Sequence, residues 1–169
     1  KFAEVCRNTI GDTAYIHNEQ FVVKMKDTQT SFAWHQDSGY STQGGAAPHR
    51  AYLTCWIALD NMSLANGTIS VLPYSRSPSR HLVEHAWDSE LNAMVGYQGS
   101  DPGDLIEVPA GTLVAFSSFL LHRSGSNLSD NPRRSYFIAF TPELLHHCDL
   151  LKGVYSSGET FLKDGKLVI

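Results

Sequence analysis

Four residues of this 169-residue chain have types and spacings that could act together: His35, Asp37, His122 and Arg133. His35 and Asp37 flank Gln36. On an extended segment residues two apart point the same way, so both can ligate one ion from one strand end. The Gly-rich stretch that follows, Gly39 to Gly45, is expected to be a loop that leaves room at the mouth of a site. His122 closes the apolar run Thr112 to Leu121. Taken as one long buried strand, that run puts an imidazole where core meets solvent. Two His and one carboxylate form the facial triad of non-haem Fe(II) sites, which leaves coordination positions open. Arg133 lies eleven residues beyond His122, after the polar turn Ser124 to Pro132, so a hairpin is expected to set the next strand beside His122. A guanidinium suits a carboxylate because its planar fork donates two parallel hydrogen bonds. Ser135, two residues on and on the same face, can donate a third.

Each of these residues has an ordinary reading when taken alone: a His bonded at a sheet rim, or an exposed basic pair at Arg133-Arg134. The remaining histidines invite no special role. His81 and His85 are four apart and could share one face of a helix, expected over Arg80 to Trp87 and on toward Met94. Leu82-Val83-Glu84 between them is not the His-Glu-x-x-His pattern of a zinc protease, so an exposed helix face is the plainer reading. His17, His49, His146 and His147 are expected in loops, at element edges or near the C-terminus.

The elements that must position these groups read mainly as short strands bounded by turns. Glu19 to Met25 is rich in Phe and Val. Ala51 to Asp60 alternates Tyr52, Thr54, Trp56 and Ala58 on one side with Leu53, Cys55, Ile57 and Leu59 on the other. Gly67 to Leu72 follows the Asn66-Gly67 turn signal, and Leu105 to Val108 runs into the turn Pro109-Ala110-Gly111. Thr112 to Ser117 and Ser135 to Phe140 are β-branched or aromatic. Only the first few residues and the Arg80 segment suggest helix. The pattern predicts one mainly β domain of jelly-roll type with a few flanking helices.

Composition excludes several function classes. Hydrophobic residues make up 42% of the chain, enough for a core, and the formal charge is −4 from 13 Lys+Arg against 17 Asp+Glu. No basic footprint for nucleic acid is present. No apolar run approaches the ~20 residues of a membrane helix. Cys6, Cys55 and Cys148 show no Cys-x-x-Cys spacing and are expected as small buried hydrophobes in a reducing, cytoplasmic setting. The first residues lack both a Met and a signal-peptide pattern, and the chain is expected to be part of something longer.

The motifs together resemble the phytanoyl-CoA dioxygenase family of Fe(II)- and 2-oxoglutarate-dependent oxygenases. The likeness is carried by Trp34-His35-Gln36-Asp37, Cys55 to Asp60, Asn66-Gly67-Thr68 leading to Val71-Leu72-Pro73, Gly111-Thr112, and His122 through Arg133. It implies a double-stranded β-helix (cupin-like) with its core about 19–141 within a single domain 1–169, lacking the family's N-terminal helical portion. It implies iron on His35, Asp37 and His122, with 2-oxoglutarate chelating that iron and its far carboxylate on Arg133. Gln36, Trp56 and Gln20 match co-substrate contacts in the family, and Lys24 shares the Gln20 face. O₂ as co-reactant, succinate as product and hydroxylation of a small molecule follow from the likeness. An acyl-CoA, an amino-acid derivative and a secondary metabolite all remain open as substrate. Asp37 favours hydroxylation, since related halogenases lack that carboxylate. Leu72-Pro73-Tyr74-Ser75-Arg76 departs from the family's Leu-Pro-Gly-Ser-His near the site's mouth. Trp34, Tyr40, Tyr52 and Phe119 are candidate pocket walls. Two rivals stay open: a cupin-type metalloenzyme that does not use 2-oxoglutarate, and a catalytically silent binding module fastened by metal.

Overall fold

The structure, a computed structural model, describes residues 1–26 and 30–168. Helix α1 (Phe2–Thr9) leads into strands β1 (Ala14–Lys24) and β2 (Phe32–His35), the short helix α2 (Asp37–Gln43) and β3 (Leu53–Ala58). Then come β4 (Ile69–Val71), β5 (Ala86–Asp88), β6 (Ala93–Val95), β7 (Asp104–Leu105) and β8 (Leu113–Ser117). The chain continues through β9 (His122–Ser124), β10 (Arg133–Thr141), β11 (Thr160–Lys163) and β12 (Lys166–Leu167). Among the described residues these form a six-stranded sheet ordered β12-β11-β1-β10-β3-β8, a four-stranded sheet ordered β2-β9-β4-β7, and the hairpin β5-β6. The chain therefore passes repeatedly between two opposed sheets, and the fold is a double-stranded β-helix.

Period-two alternation decides what each face does. On β3, Leu53 and Cys55 join Ile138 and Phe140 of β10, and Cys6 of α1, in a core on the outer side of the larger sheet. Burying a ring as completely as Phe140 contributes about 2 kcal/mol. The opposite face of β3 carries Trp56 and Ala58, which pack with Met62 and Ile69 between the sheets. Thr54 and Tyr52 share that inner parity, so the strand that builds the core also presents polar atoms to the interior.

Several expectations from sequence are corrected. No helix forms over residues 80–94; the segment is irregular until the β5-β6 hairpin. Its main chain is committed to distant partners instead: Val83 N–H donates to Gln36 Oε1, and the His81 carbonyl accepts from Gln36 Nε2. Thr112 to Leu121 is not one strand. A turn closed by Leu120 N–H on the Ser117 carbonyl (2.8 Å) carries the chain from β8 in one sheet to β9 in the other. His122 and Arg133 consequently sit on opposed sheets and not in one hairpin. Gly39 to Gly45 is α2 and its cap, not a loop. The 105–108 segment pairs as strand only at Asp104–Leu105. All three cysteines are free; Cys6 and Cys55 are buried, but Cys148 is exposed. Among the described residues no helix is long and apolar enough to cross a membrane.

Candidate metal and co-substrate site

Antiparallel pairing of β2 with β9 sets His35 directly opposite His122, with ring centroids 4.2 Å apart. Asp37 arrives differently. It is the first residue of α2, where a carboxylate is favoured by the helix dipole, and the strand-to-helix turn at Gln36, not strand alternation, brings it to the imidazoles. Asp37 Oδ1 lies 3.7 Å from His35 Nε2 and 3.5 Å from His122 Nε2. Both separations are shorter than two ligand bonds of about 2.1 Å, so one ion can touch all three groups.

The surroundings orient each donor. His35 Nδ1 is 2.8 Å from the Ala33 carbonyl and His122 Nδ1 is 3.0 Å from the Leu120 carbonyl, which leaves both Nε2 atoms as lone-pair donors. Thr54 Oγ1, from β3 in the opposed sheet, donates to Asp37 Oδ2 at 2.5 Å and leaves Oδ1 for the ion. Burial acts to raise the Asp37 carboxyl, yet the His122 and His35 imidazoles and the Thr54 hydroxyl outweigh it and hold the group below its ordinary value. Burial and then His35 push His122 down to about 4, against the pull of Asp37 and the Leu120 carbonyl. At neutral pH the pair is thus a carboxylate and a neutral imidazole, the states that bind metal. The donor set fits a non-haem iron.

This cluster opens into a cavity of about 530 Å³, within the range that encloses small ligands. Arg133 lines it from β10 and is only 1% exposed. Nη1 donates to Ser135 Oγ at 3.0 Å and Nη2 to the Gly67 carbonyl, while Nε is buried without a partner. The Trp56 ring lies 5.8 Å away. Burial lowers Arg133 to about 10, partly opposed by Asp60, so it stays charged. Asp60 itself is engaged by Arg134. A buried guanidinium held only by neutral oxygens is costly, and a ligand carboxylate would relieve that cost. Lys24, opposite Arg133 in the β1-β10 register but outside the cavity lining, is a second buried basic side chain, bonded to Ser124 Oγ (2.7 Å) and the Gly125 carbonyl (2.6 Å). Burial and then Arg133 lower it to about 7.

The comparisons bear on the family and the fold. A family model described as phytanoyl-CoA dioxygenase (PhyH) matches residues 1–135. The chain belongs to this family. An L-proline trans-4-hydroxylase from Streptomyces griseoviridis is 29% identical over 154 residues, covering 78% of this chain and 56% of the relative. An ectoine dioxygenase from Stutzerimonas stutzeri (strain A1501) is 23% identical over 152 residues, covering 82% and 50%. The chain spans about half the length of the curated relatives it matches. Among solved structures, the apo non-haem monooxygenase ThoJ superposes with a TM-score of 0.69 at 20% identity, covering 83% of this chain and 51% of the other. EvdO2 from Micromonospora carbonacea var. aurantiaca, complexed with 2-oxoglutarate, gives 0.66 at 19% identity, covering 88% and 60%. These likenesses establish the fold.

Within this phytanoyl-CoA dioxygenase family chain, the sequence-selected residues separate into two groups. His35, Asp37, His122, Arg133, Trp56 and Gln20 all line the cavity, and Ser135 bonds Arg133 from behind. Gln36 does not line it. Its amide is fully buried and spent on the Val83 N–H and on the His81 and Phe119 carbonyls. Tyr40 and Tyr52 are walls, whereas Trp34 packs in a satellite core with Leu72 and Leu121, and Phe119 is not in the lining. The departure at Arg76 is tied down by Asp101 (3.0 Å) and Asp104 (2.6 Å). Sequence reading missed His17, which lies on β1 and not in a loop, and lines the cavity with Ser41 and Tyr155. A β-bulge between Ile16 and Asn18 re-aims it to the face of Asn18, Gln20 and Val22, so alternation alone could not find it.

Proposed function

We propose that this chain carries the catalytic site of an Fe(II)- and 2-oxoglutarate-dependent dioxygenase. It hydroxylates an unactivated C–H bond of a small organic molecule, with O₂ as oxidant and 2-oxoglutarate decarboxylated to succinate. The observation that carries this reading is the convergence of His35, Asp37 and His122 on one point of a cavity that also holds a buried, incompletely bonded Arg133. Iron and 2-oxoglutarate, when bound, supply the oxidising chemistry. The residues supply placement. His35, Asp37 and His122 would hold the ion, three protein ligands being few enough to leave coordination positions free. Arg133, with Ser135 behind it, takes the far carboxylate of 2-oxoglutarate and so fixes which end reaches the metal. Asp37 fills the position that a halogenase leaves free, which favours hydroxylation. His17, Tyr40, Ser41, Tyr52 and Tyr155 offer ring faces and hydroxyls to a substrate with both apolar and polar parts.

The test is anaerobic titration of the full-length protein with Fe(II) and 2-oxoglutarate. A weak visible absorption band is expected on forming the chelate, and succinate on admitting O₂ with substrate. Arg133→Gln should raise the 2-oxoglutarate concentration needed for the band by roughly 30-fold or more, the cost of removing one partner from a buried charge pair. A folded native protein that gives no band refutes the oxygenase reading. An Arg133→Gln variant with native 2-oxoglutarate affinity transfers the case to a cupin-type metalloenzyme that does not use this co-substrate.

A further inference from the structure

His85 lies outside the ligand set but grips the main chain between two of the ligands. Its ring sits between Gly39 of α2 and Gly96 beyond β6; a Cβ built at either glycine would come 2.5 Å from a ring atom. His85 Nδ1 is 2.9 Å from the Val83 carbonyl, a contact that only an N–H satisfies, so Nε2 carries the free lone pair. That Nε2 accepts the Gln36 backbone N–H at 2.9 Å. Gln36 returns the grip through its side chain: Oε1 accepts from Val83 N–H at 2.8 Å, and Nε2 donates to the His81 carbonyl at 3.0 Å. Gln36 is also where β2 turns into α2, with φ −112° and ψ 138°. The orientation of this residue's two flanking peptides sets the angle between the Cα–Cβ bonds of His35 and Asp37.

We propose that His85 is a positioning residue for the metal site: by accepting the Gln36 N–H it fixes the turn that aims His35 and Asp37 at a common ion. The inference rests on the reading of His35, Asp37 and His122 as metal ligands. Without an acceptor the Gln36 N–H would be buried and unpaired, and the peptide would turn toward another partner. The two glycines give this role a steric counterpart, since they let the ring approach α2 closely enough to reach the Gln36 N–H.

The experiment compares Co(II) binding by full-length native protein, His85→Phe and His85→Gln. The phenyl ring fills the slot between the two glycines, slightly larger than imidazole, and loses the acceptor; the glutamine amide oxygen reaches about as far as Nε2 and restores it. Phe should weaken Co(II) binding about ten-fold and alter the Co(II) absorption spectrum, and Gln should stay within about three-fold of native, the scale known for groups that orient metal ligands. Melting of the metal-free proteins reports folding separately. If the Phe variant does not fold, His85→Asn, whose amide stops short of Gln36, is held to the same criterion. Native affinity and spectrum in Phe, or equal losses in Phe and Gln, overturns the proposal. A folded native protein that binds no Co(II) removes the ligand reading itself, an outcome visible before any variant is compared.

Discussion

His17 shows how much a single side chain can be changed by its place. Its Nε2 is 3.1 Å from Ser41 Oγ, its ring meets Tyr52 edge-on at 4.9 Å, and Nδ1 is buried without a partner. Burial, then His49, lowers its pKa to about 4, against the pull of Asp37. In the unfolded chain an imidazole takes its proton near 6.5. Between those values the unfolded state binds more protons than the folded one, so stability is full above about 6.5 and is lost as pH falls toward 4. The urea midpoint of the metal-free protein should therefore drop across that window, and His17→Gln should flatten part of the drop. His122 shifts the same way and accounts for a remaining slope. An identical pH profile in the variant would assign the acid sensitivity elsewhere. At this scale sequence is strongest where side-chain chemistry is distinctive. His35, Asp37, His122 and Arg133 stand out as candidates because few donor sets suit iron and a carboxylate, and the fold brings all four to one cavity. Gln36 lies outside the cavity lining, a placement its type does not reveal because an amide serves a pocket and a main chain equally well.

Elements act here mostly by holding main-chain atoms in place. Gly67 follows the 3₁₀ turn Leu64–Asn66 at φ +72°, and its carbonyl accepts from Arg133 Nη2. A Cβ there would lie 2.4 Å from the Gly125 carbonyl oxygen and 2.7 Å from that of Ser126. Gly67→Ala should thus cost about 1–3 kcal/mol in denaturant unfolding, through both a left-handed conformation and the clash. It should also weaken 2-oxoglutarate binding more than metal binding, because Arg133 moves and the ligands do not. Equal losses in calorimetric titrations of the two would contradict this coupling. The strands themselves were readable by alternation, β3 above all. The 80–94 segment was not, because the Gln36 side chain takes the Val83 N–H and the His81 carbonyl and the residues beyond pair as the β5-β6 hairpin.

Across the whole molecule, the site joins the two sheets. His35 and His122 belong to the smaller sheet, Thr54 and Arg133 to the larger, and the Thr54–Asp37 hydrogen bond spans the gap. An ion bound by the triad should stabilise the folded state by linkage, about 2.7 kcal/mol at 100 times its dissociation constant. Co(II) should therefore raise the melting temperature, a chelator should reverse the rise, and Asp37→Ala should abolish it; a rise that persists in the variant would place the ion elsewhere. Sequence by itself picked out the candidate donor set, the β character and the alternating faces, because these depend on side-chain type and on a period of two. Only the tertiary structure decided that His122 opens a new strand, that Arg133 faces it from the opposite sheet, and that His17 and His85 belong beside the site. Those relations depend on where chain reversals and a bulge send each backbone, and hydrogen bonds between residues distant in sequence fix them.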